Sequence, residues 1–541
     1  MTLRDTLRDA VVAARDRAVA AGELAFPEGA PLPEPGVERP ALAEHGDYAT
    51  NAAMQLAPLA RSSPLAIAET LVRHLEAPAG VGAATVERPG FINWRLDPAW
   101  VAAQVPAILA AGPAWGRSDD LAGERINVEF ISANPTGPLH IGNGRGGFIG
   151  DTLANLLAAA GAKVTREYYV NDYGSQVRDF GQSVYLARTG QSGEAGYRGA
   201  YIGQLAADVP DDALASVNPL EAIGEWAWNR VYDDIKRTIS RLGMRIDVWR
   251  SERELHEAGE VSAAIDRLRV AGYVYESEGA TWFRSTTFGD DKDRVLIRSN
   301  GQPTYFAADI AYLLDKFERG FGRLIYILGP DHHGAIARWK GAAAGLGHDP
   351  EAVEFIIYQH VSLAGGTAMS KREGSFVTLD ELVDEVGADA TRFLFTLRSA
   401  NQHLEFDLEL ARQQSNENPV YYVQYAHARC SSILRQPAAA ALPDSPGEAA
   451  SRLTHPAEQA LIRHLIRLPE VVADSAMRRE THELPRYAME VANLFSQFYR
   501  DCRVLTDDAT LSTARLAVVR ATRQVLANSL SLIGVRAPDS M

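Results

Sequence analysis

At 541 residues the chain is long enough for three to four domains of about 150 residues each, with separate cores. Lys and Arg total 54 against 69 Asp and Glu, a net charge of -15 that excludes a generally basic coat for nonspecific nucleic-acid binding; any RNA site must be a local basic face. The two cysteines, Cys430 and Cys502, are too far apart for a CxxC redox pair or a thiolate metal cage, which points to a reducing, cytosolic setting.

In chain order, the segment from Met1 to Ala21 carries Arg4, Asp5, Arg8, Asp9, Arg15, Asp16 and Arg17. It lacks the apolar core of a signal peptide and reads as a surface helix. No uncharged apolar run is long enough to predict a membrane span. Pro27 to Pro40 reads as a loop, Tyr48 to Leu59 and Leu65 to Leu75 as helices, and Thr85 to Leu96 as strand-like around Pro89-Gly90. Residues 1–115 thus form an expected small α/β domain.

The texture then changes to strand, turn, helix. Ile126, Val128 and Phe130 alternate with Asn127 and Glu129; a Pro/Gly turn and a Gly-rich helix start follow, and Lys163 to Val170 is the next strand. Arg323 to Leu328, Gly329-Pro330, Ala335 to Leu346 and Phe355 to Leu363 repeat the pattern. The fold class is α/β: alternating elements predict a parallel, doubly wound sheet over 116–385. A mostly helical insertion, strand-rich near Tyr273 to Phe283, occupies about 175–295. Beyond 385 no strand is expected, and 386–541 reads as an all-helical domain with a loop at Gln436 to Pro446.

The densest chemistry lies in Glu129 to Gly147. Gly142, Gly144 and Gly147 form a literal G-x-G-x-x-G with Glu167 twenty residues on, which makes a nicotinamide-dinucleotide enzyme the rival reading. Against it, that fingerprint's glycines follow their strand directly, whereas Asn134 to His140 intervene here. A helix starting near Leu139 to Gly142 offers free N–H groups and a positive dipole end for phosphates, and His140 and Asn143 can project donors from one face. The bland alternative is a glycine-rich helix packed under the sheet with His140 as its cap. A second loop, Gly365 to Gly374, carries Met369, Ser370 and Lys371 between glycines; Lys371 is one of only six lysines in the chain. Alone, it reads as a solvated loop charge.

A His-Ile-Gly-x turn after the first strand and a Met-Ser-Lys loop after the last resemble the two signatures of class I aminoacyl-tRNA synthetases. More narrowly the chain resembles the arginyl-tRNA synthetase family, through Val128 to Gly142, Tyr169 to Gly174, Asp331-His332-His333-Gly334, Asn418 to Arg429 and Gly90-Phe91-Ile92-Asn93. It departs from that pattern at Asn143, where a second histidine is usual, and at Ala368, where lysine is frequent.

The resemblance implies a class I synthetase Rossmann-like catalytic domain, an N-terminal domain touching the tRNA D-loop, and a helical anticodon-binding domain. It implies a cytoplasmic monomer that uses ATP, with Mg²⁺ carried on it, to join L-arginine to tRNA(Arg). ATP falls to His140, Gly142, Asn143, Gly144, Met369, Ser370 and Lys371, of which His140, Asn143 and Lys371 are the expected catalytic donors. Arginine falls to Glu129, Asn134, Tyr305 and Asp309.

A permanently charged planar guanidinium demands carboxylates, and Tyr305 and Asp309, one turn apart, share a helix face. Without the resemblance Asp309 reads as a solvated helix charge. Zinc at Asp331 to Gly334 is set aside because adjacent histidines diverge and no third ligand cluster is near; no metal ligands are expected. Asn418-Pro419 reads as N-cap and first helical residue. Tyr422, Tyr425, Ala426 and Arg429 then form a stripe read mostly as core, its exposed members able to stack on unpaired bases. Phe91 and Asn93, two apart on a strand, suit a flipped-out base; a buried Phe beside an edge Asn is the alternative. Another class I synthetase, or a noncatalytic tRNA-binding paralogue, are the other readings.

Overall fold

The computed structural model describes residues 2–40, 42–364 and 377–541. Near the N-terminus, β1 (Val37–Glu38), β2 (Tyr48–Thr50), β3 (Thr85–Glu87) and β4 (Phe91–Trp94) form an antiparallel sheet in the order β1-β2-β4-β3. Helices Leu3–Ala20, Ala52–Ala60 and Pro64–His74 cover it, burying Leu7, Val11, Ile67, Leu71, Ile92 and Trp94. Two expectations are corrected here. Tyr48 to Thr50 is strand, with the helix beginning only at Ala52. Val37 and Glu38 form a short edge strand inside the Pro-rich stretch, a position where neighbouring prolines cost no ladder bonds.

The central sheet comprises β5 (Arg125–Glu129), β6 (Lys163–Val170), β7 (Val248–Ser251), β11 (Arg323–Leu328) and β12 (Val353–Ile357), ordered β12-β11-β5-β6-β7 with every neighbouring pair parallel. Strand order reverses on either side of β5, which makes the crevice above its carboxyl end the natural ligand site. β7 lies in the region read as a helical insertion, yet it completes this sheet.

β5 also differs from its pattern. Its polar residues do not face water: Asn127 and Glu129 are buried in an ionic layer beneath helix Tyr305–Glu318. Asn127 Nδ2 donates to Glu167 (2.7 Å), Arg319 to Glu167 (2.7 Å) and Lys316 Nζ to Glu129 (2.6 Å). Glu167, spent inside the sheet, cannot reach a ribose as a dinucleotide fingerprint requires.

The insertion adds a three-stranded antiparallel sheet, β10-β9-β8, from β8 (Val274–Ser277), β9 (Ala280–Phe283) and β10 (Arg294–Ile297). The stretch Phe355 to Leu363 is not one strand. It divides between β12 and β13 (Val361–Leu363), and β13 pairs in parallel with β14 (Leu404–Phe406), a strand in the region expected to be helical throughout. The remaining C-terminal elements are helices, and the last, Ala509–Ile533, packs on helices Pro419–Leu434 and Glu483–Asp501 and also on Pro98–Ala111 and Ile141–Ala159. One contiguous core therefore runs from Leu7 through Val128 to Ile533. Among the described residues no helix is long and apolar enough to cross a membrane, and both cysteines are free and buried.

Candidate active site

After Glu129 the chain leaves the sheet through Ile131 and Ser132, whose φ values of 69° and 39° are left-handed. A β-branched residue holds such a backbone only where its surroundings impose it. Ser132 Oγ donates to Glu129 Oε1 (3.0 Å) and accepts from Tyr169 N–H (3.0 Å). The phenols of Tyr168 and Tyr201 donate to the carbonyls of Ala133 (2.6 Å) and Thr136 (2.9 Å). The turn is thereby pinned, with Asn134 on the wall of the crevice.

Helix Ile141–Ala159 begins under a capping box: His140 Nδ1 accepts from Gly142 N–H (3.1 Å) and Asn143 N–H (3.3 Å), while Asn143 Oδ1 accepts from His140 N–H (3.1 Å). His140 is thus the cap as well as the ATP candidate. With Nδ1 accepting, a neutral ring carries its proton on Nε2, and the protein packed around it lowers its pKa below the ordinary histidine value. Asn143 thus spends its side-chain oxygen on the cap.

The glycines divide. Gly142 lies at the helix mouth, whereas Gly144 is buried, and a Cβ there would sit 2.7 Å from Leu379 Cδ1. Gly144 therefore packs against protein instead of opening the backbone to a nucleotide. Val377 to Leu379 run beside the cap: Ile141 N–H donates to Val377 O (3.3 Å) and Leu379 N–H to Leu139 O (2.8 Å). Met369, Ser370 and Lys371 lie outside the described residues.

A cavity of about 290 Å³ is lined by Asn134, from the turn after β5, with Tyr169, Asn171, Gln176, Glu252, Tyr305, Asp309 and His332. Three of the four expected arginine residues are on its wall. The fourth, Glu129, lies below it with its charge countered by buried Lys316, whose ammonium also faces the rings of Tyr312 (4.1 Å) and Tyr326 (4.0 Å).

The cavity is acidic and underbonded. Burial pushes Asp309 up to about 7, with Glu129 adding to the rise and Arg338 opposing it. Burial likewise raises Glu252 to about 7, reinforced by the charge of Asp309. Asn171 Oδ1, Gln176 Oε1 and Glu252 Oε2 are buried acceptors without a close hydrogen-bond partner, and the Tyr169 hydroxyl stands beside the Glu252 carboxyl. Unpaired buried acceptors are destabilising until something donates to them, so this wall suits a cation with several N–H groups.

Reading the sequence missed Glu252. Nothing local marks it; it reaches the cavity because β7 joins the sheet. Asn171 and His332 stand inside motifs that were recognised, but without an assigned role.

Two distant surfaces were also singled out. Phe91 is 38% exposed, whereas Asn93, paired with both Ala49 and Thr85, is 4% exposed; only the ring is presented to solvent. The stripe on helix Pro419–Leu434 is not mostly core. Ala426 faces inward, but Tyr425 is exposed and Tyr422 and Arg429 are half-buried, because the core face runs through Val420, Val423, Cys430 and Ile433. Arg429 donates weakly to the hydroxyls of Tyr425 (3.4 Å) and Tyr499 (3.3 Å) and lies 4.8 Å from the Tyr499 ring. Cation and aromatic faces meet there at the surface.

The parallel sheet and the capped helix that follows β5 have the architecture of a class I aminoacyl-tRNA synthetase, and the comparisons agree. Residues 104–196 and 213–411 match the family described as tRNA synthetases class I (R), catalytic domain. Residues 2–96 match the arginyl tRNA synthetase N terminal domain, and 423–541 the DALR anticodon binding domain. The arginine–tRNA ligase of Moorella thermoacetica is 48% identical over 557 residues, covering 100% of this chain and 98% of its own. That of Frankia alni is 44% identical, covering 99% of each. The Thermus thermophilus arginyl-tRNA synthetase structure shares the fold at a TM-score of 0.81 and 23% identity, over 100% of both chains. The chain belongs to the arginyl-tRNA synthetase family.

Proposed function

We propose that the protein is an ATP-dependent arginine–tRNA ligase. The observation that carries this reading is the pair of carboxyl groups, Glu252 and Asp309, facing one cavity whose wall includes Asn134 from the turn after β5. A guanidinium is the amino-acid side chain that fills such a site, since its forked N–H groups satisfy several acceptors at once. Tyr305 and Asn134 complete the wall, and Glu129, through Ser132 and the turn after β5, holds the amino-acid end.

The arginine carboxylate attacks the α-phosphate of ATP, the bond to the β-phosphate breaks and pyrophosphate leaves. A terminal ribose hydroxyl of tRNA(Arg) then attacks the adenylate carbonyl, loses its proton and releases AMP. The protein's share is positioning and stabilisation of charge on phosphate oxygens. His140 Nε2–H, the Asn143 amide and backbone N–H groups near Gly142 serve that role from one side; Met369, Ser370 and Lys371 are assigned to the other. ATP brings Mg²⁺ on its phosphates. Phe91, Tyr422, Tyr425 and Arg429 are assigned to tRNA by stacking and charge, whereas the buried Asn93 is not. Free, buried cysteines suit a cytoplasmic enzyme, and we assign it as a monomer.

Arginine-dependent exchange of pyrophosphate into ATP, with and without tRNA, tests the reading. Asp309→Ala should raise the arginine Michaelis constant about tenfold or more, and Lys371→Ala should lower turnover instead. A normal arginine constant in Asp309→Ala, or exchange driven by another amino acid, would defeat the proposal.

A further inference from the structure

Glu252 reaches the cavity from the first turn of a short helix, Glu252–Glu257, on β7, the edge strand of the sheet. A carboxylate in that place needs something to set its direction, because neither an edge strand nor a six-residue helix is rigid by itself. We infer that Asp172, which follows β6, is the positioning residue for Glu252; the inference rests on the arginine-pocket reading and deepens it.

The geometry is a clamp around a single residue. Asp172 Oδ2 accepts from the Ser251 hydroxyl at 2.6 Å, and Oδ1 accepts from Arg253 N–H at 2.9 Å, so both neighbours of Glu252 are tied to one carboxylate. Arg253 returns a bond from Nη2 to the Asp172 carbonyl at 3.0 Å. With its proton given to Asp172, Ser251 Oγ turns a lone pair to Glu254 N–H (3.1 Å) and caps the helix. One residue further, the Tyr173 ring stacks on His256 with centroids 3.9 Å apart, tying down the far end of the same helix. Between these ties Glu252 is 2% exposed, with its Oε1 3.9 Å from His256 Nε2 and its carboxyl beside the Tyr169 hydroxyl, on the wall of the cavity.

Asp172 is not on the cavity wall, so its contribution passes through the direction of the Glu252 carboxylate. Misaiming one acceptor by a fraction of an ångström weakens a charged hydrogen bond without touching the ATP side.

A double-mutant cycle separates this role from a general loss of structure. In pyrophosphate exchange with tRNA present, Asp172→Ala should raise the arginine Michaelis constant about tenfold and leave that for ATP unchanged. Glu252→Gln should raise the arginine constant at least as far, and Asp172→Ala added to Glu252→Gln should change it by less than about twofold. An equal penalty for Asp172→Ala in both backgrounds, or a matching rise in the ATP constant, overturns the positioning role while leaving the pocket intact. A normal arginine constant in Glu252→Gln itself overturns the pocket assignment. Should Asp172→Ala fail to fold, Ser251→Ala, which removes only the hydroxyl from the clamp, replaces it with the same expected and opposing results.

Discussion

Burial pushes two carboxyl groups of the proposed arginine site up toward neutrality, which makes that site sensitive to pH. Asp309 and Glu252 are both raised to about 7, chiefly by burial; Arg338, Trp339 and Glu129 act on Asp309, while Asp309, Tyr169 and Asp172 act on Glu252, whose carboxyl also lies 3.9 Å from His256 Nε2. Below that range they hold protons and present little charge; above it they are carboxylates. Arginine stays a cation throughout, so its Michaelis constant should fall as pH rises from about 6 to 8. The linkage runs the opposite way for the unliganded protein. A raised acid pKa contributes stability that is complete below the unfolded value near 4 and is lost as pH climbs through 7. Melting curves with and without arginine should therefore diverge increasingly above pH 7; a ligand-induced shift that is flat between pH 6 and 8 would contradict the acid pair. Tyr305 and Asp309 were legible as a pair because helix spacing is local, while Glu252 was not, since its neighbours in space are distant in sequence.

Among the elements, helices Gln176–Thr189 and Pro219–Arg241 of the insertion pack with their backbones in close approach. A Cβ on Gly181 would lie 2.1 Å from Leu220 O and 2.7 Å from Gly224 Cα, and one on Gly224 would lie 2.4 Å from Val177 O. Backbone meets backbone, so no side chain can move aside. Gly224→Ala should force the helices apart and destabilise the protein by about 1–3 kcal/mol, which denaturant unfolding measures. Because Gln176 opens the first of these helices and lines the cavity, the arginine constant should rise as well. A stability change within about 0.5 kcal/mol of zero would mean that the contact is looser than the structure has it. The sequence identified these segments as helical, but the crossing depends on two glycines meeting across 43 residues, which no periodicity reveals.

At the scale of the molecule, the N-terminal sheet is joined to the helical region by buried polar groups. Arg39 Nε donates to Glu470 Oε2 (2.9 Å), and the Tyr48 hydroxyl donates to Glu470 Oε1 and accepts from Arg39. Arg4 pairs with Asp474 nearby (2.6 Å). Glu470→Ala would leave Arg39 and Tyr48 without their acceptor. The expected loss is about 3 kcal/mol, the lower end for a broken buried pair because Arg39 keeps partial access to water. In the proposed reading Phe91 and Tyr425 hold one tRNA from the two sides of this joint, so charging should lose tRNA affinity while arginine activation is spared. Unchanged stability and unchanged tRNA affinity together would refute the joint. This contact also accounts for Tyr48 being strand: its phenol has to reach Glu470, and the pairing of Tyr48 with Trp94 directs it there.

What the sequence determined by itself is whatever its local rules control. The caps at His140 and Asn418, the Tyr305/Asp309 face and most strands of the parallel sheet follow from spacing, turn chemistry and periodicity within about twenty residues. Tertiary structure alone decided the rest. β7 joins the sheet by pairing Glu167 with Val248, β14 exists because Leu404 pairs with Val361, Glu129 is neutralised by Lys316, and Glu252 is delivered to the cavity. Each of these is a contact between residues far apart along the chain. Their energy depends on burial and partners that form only once the sheet has assembled, so no local pattern can encode them.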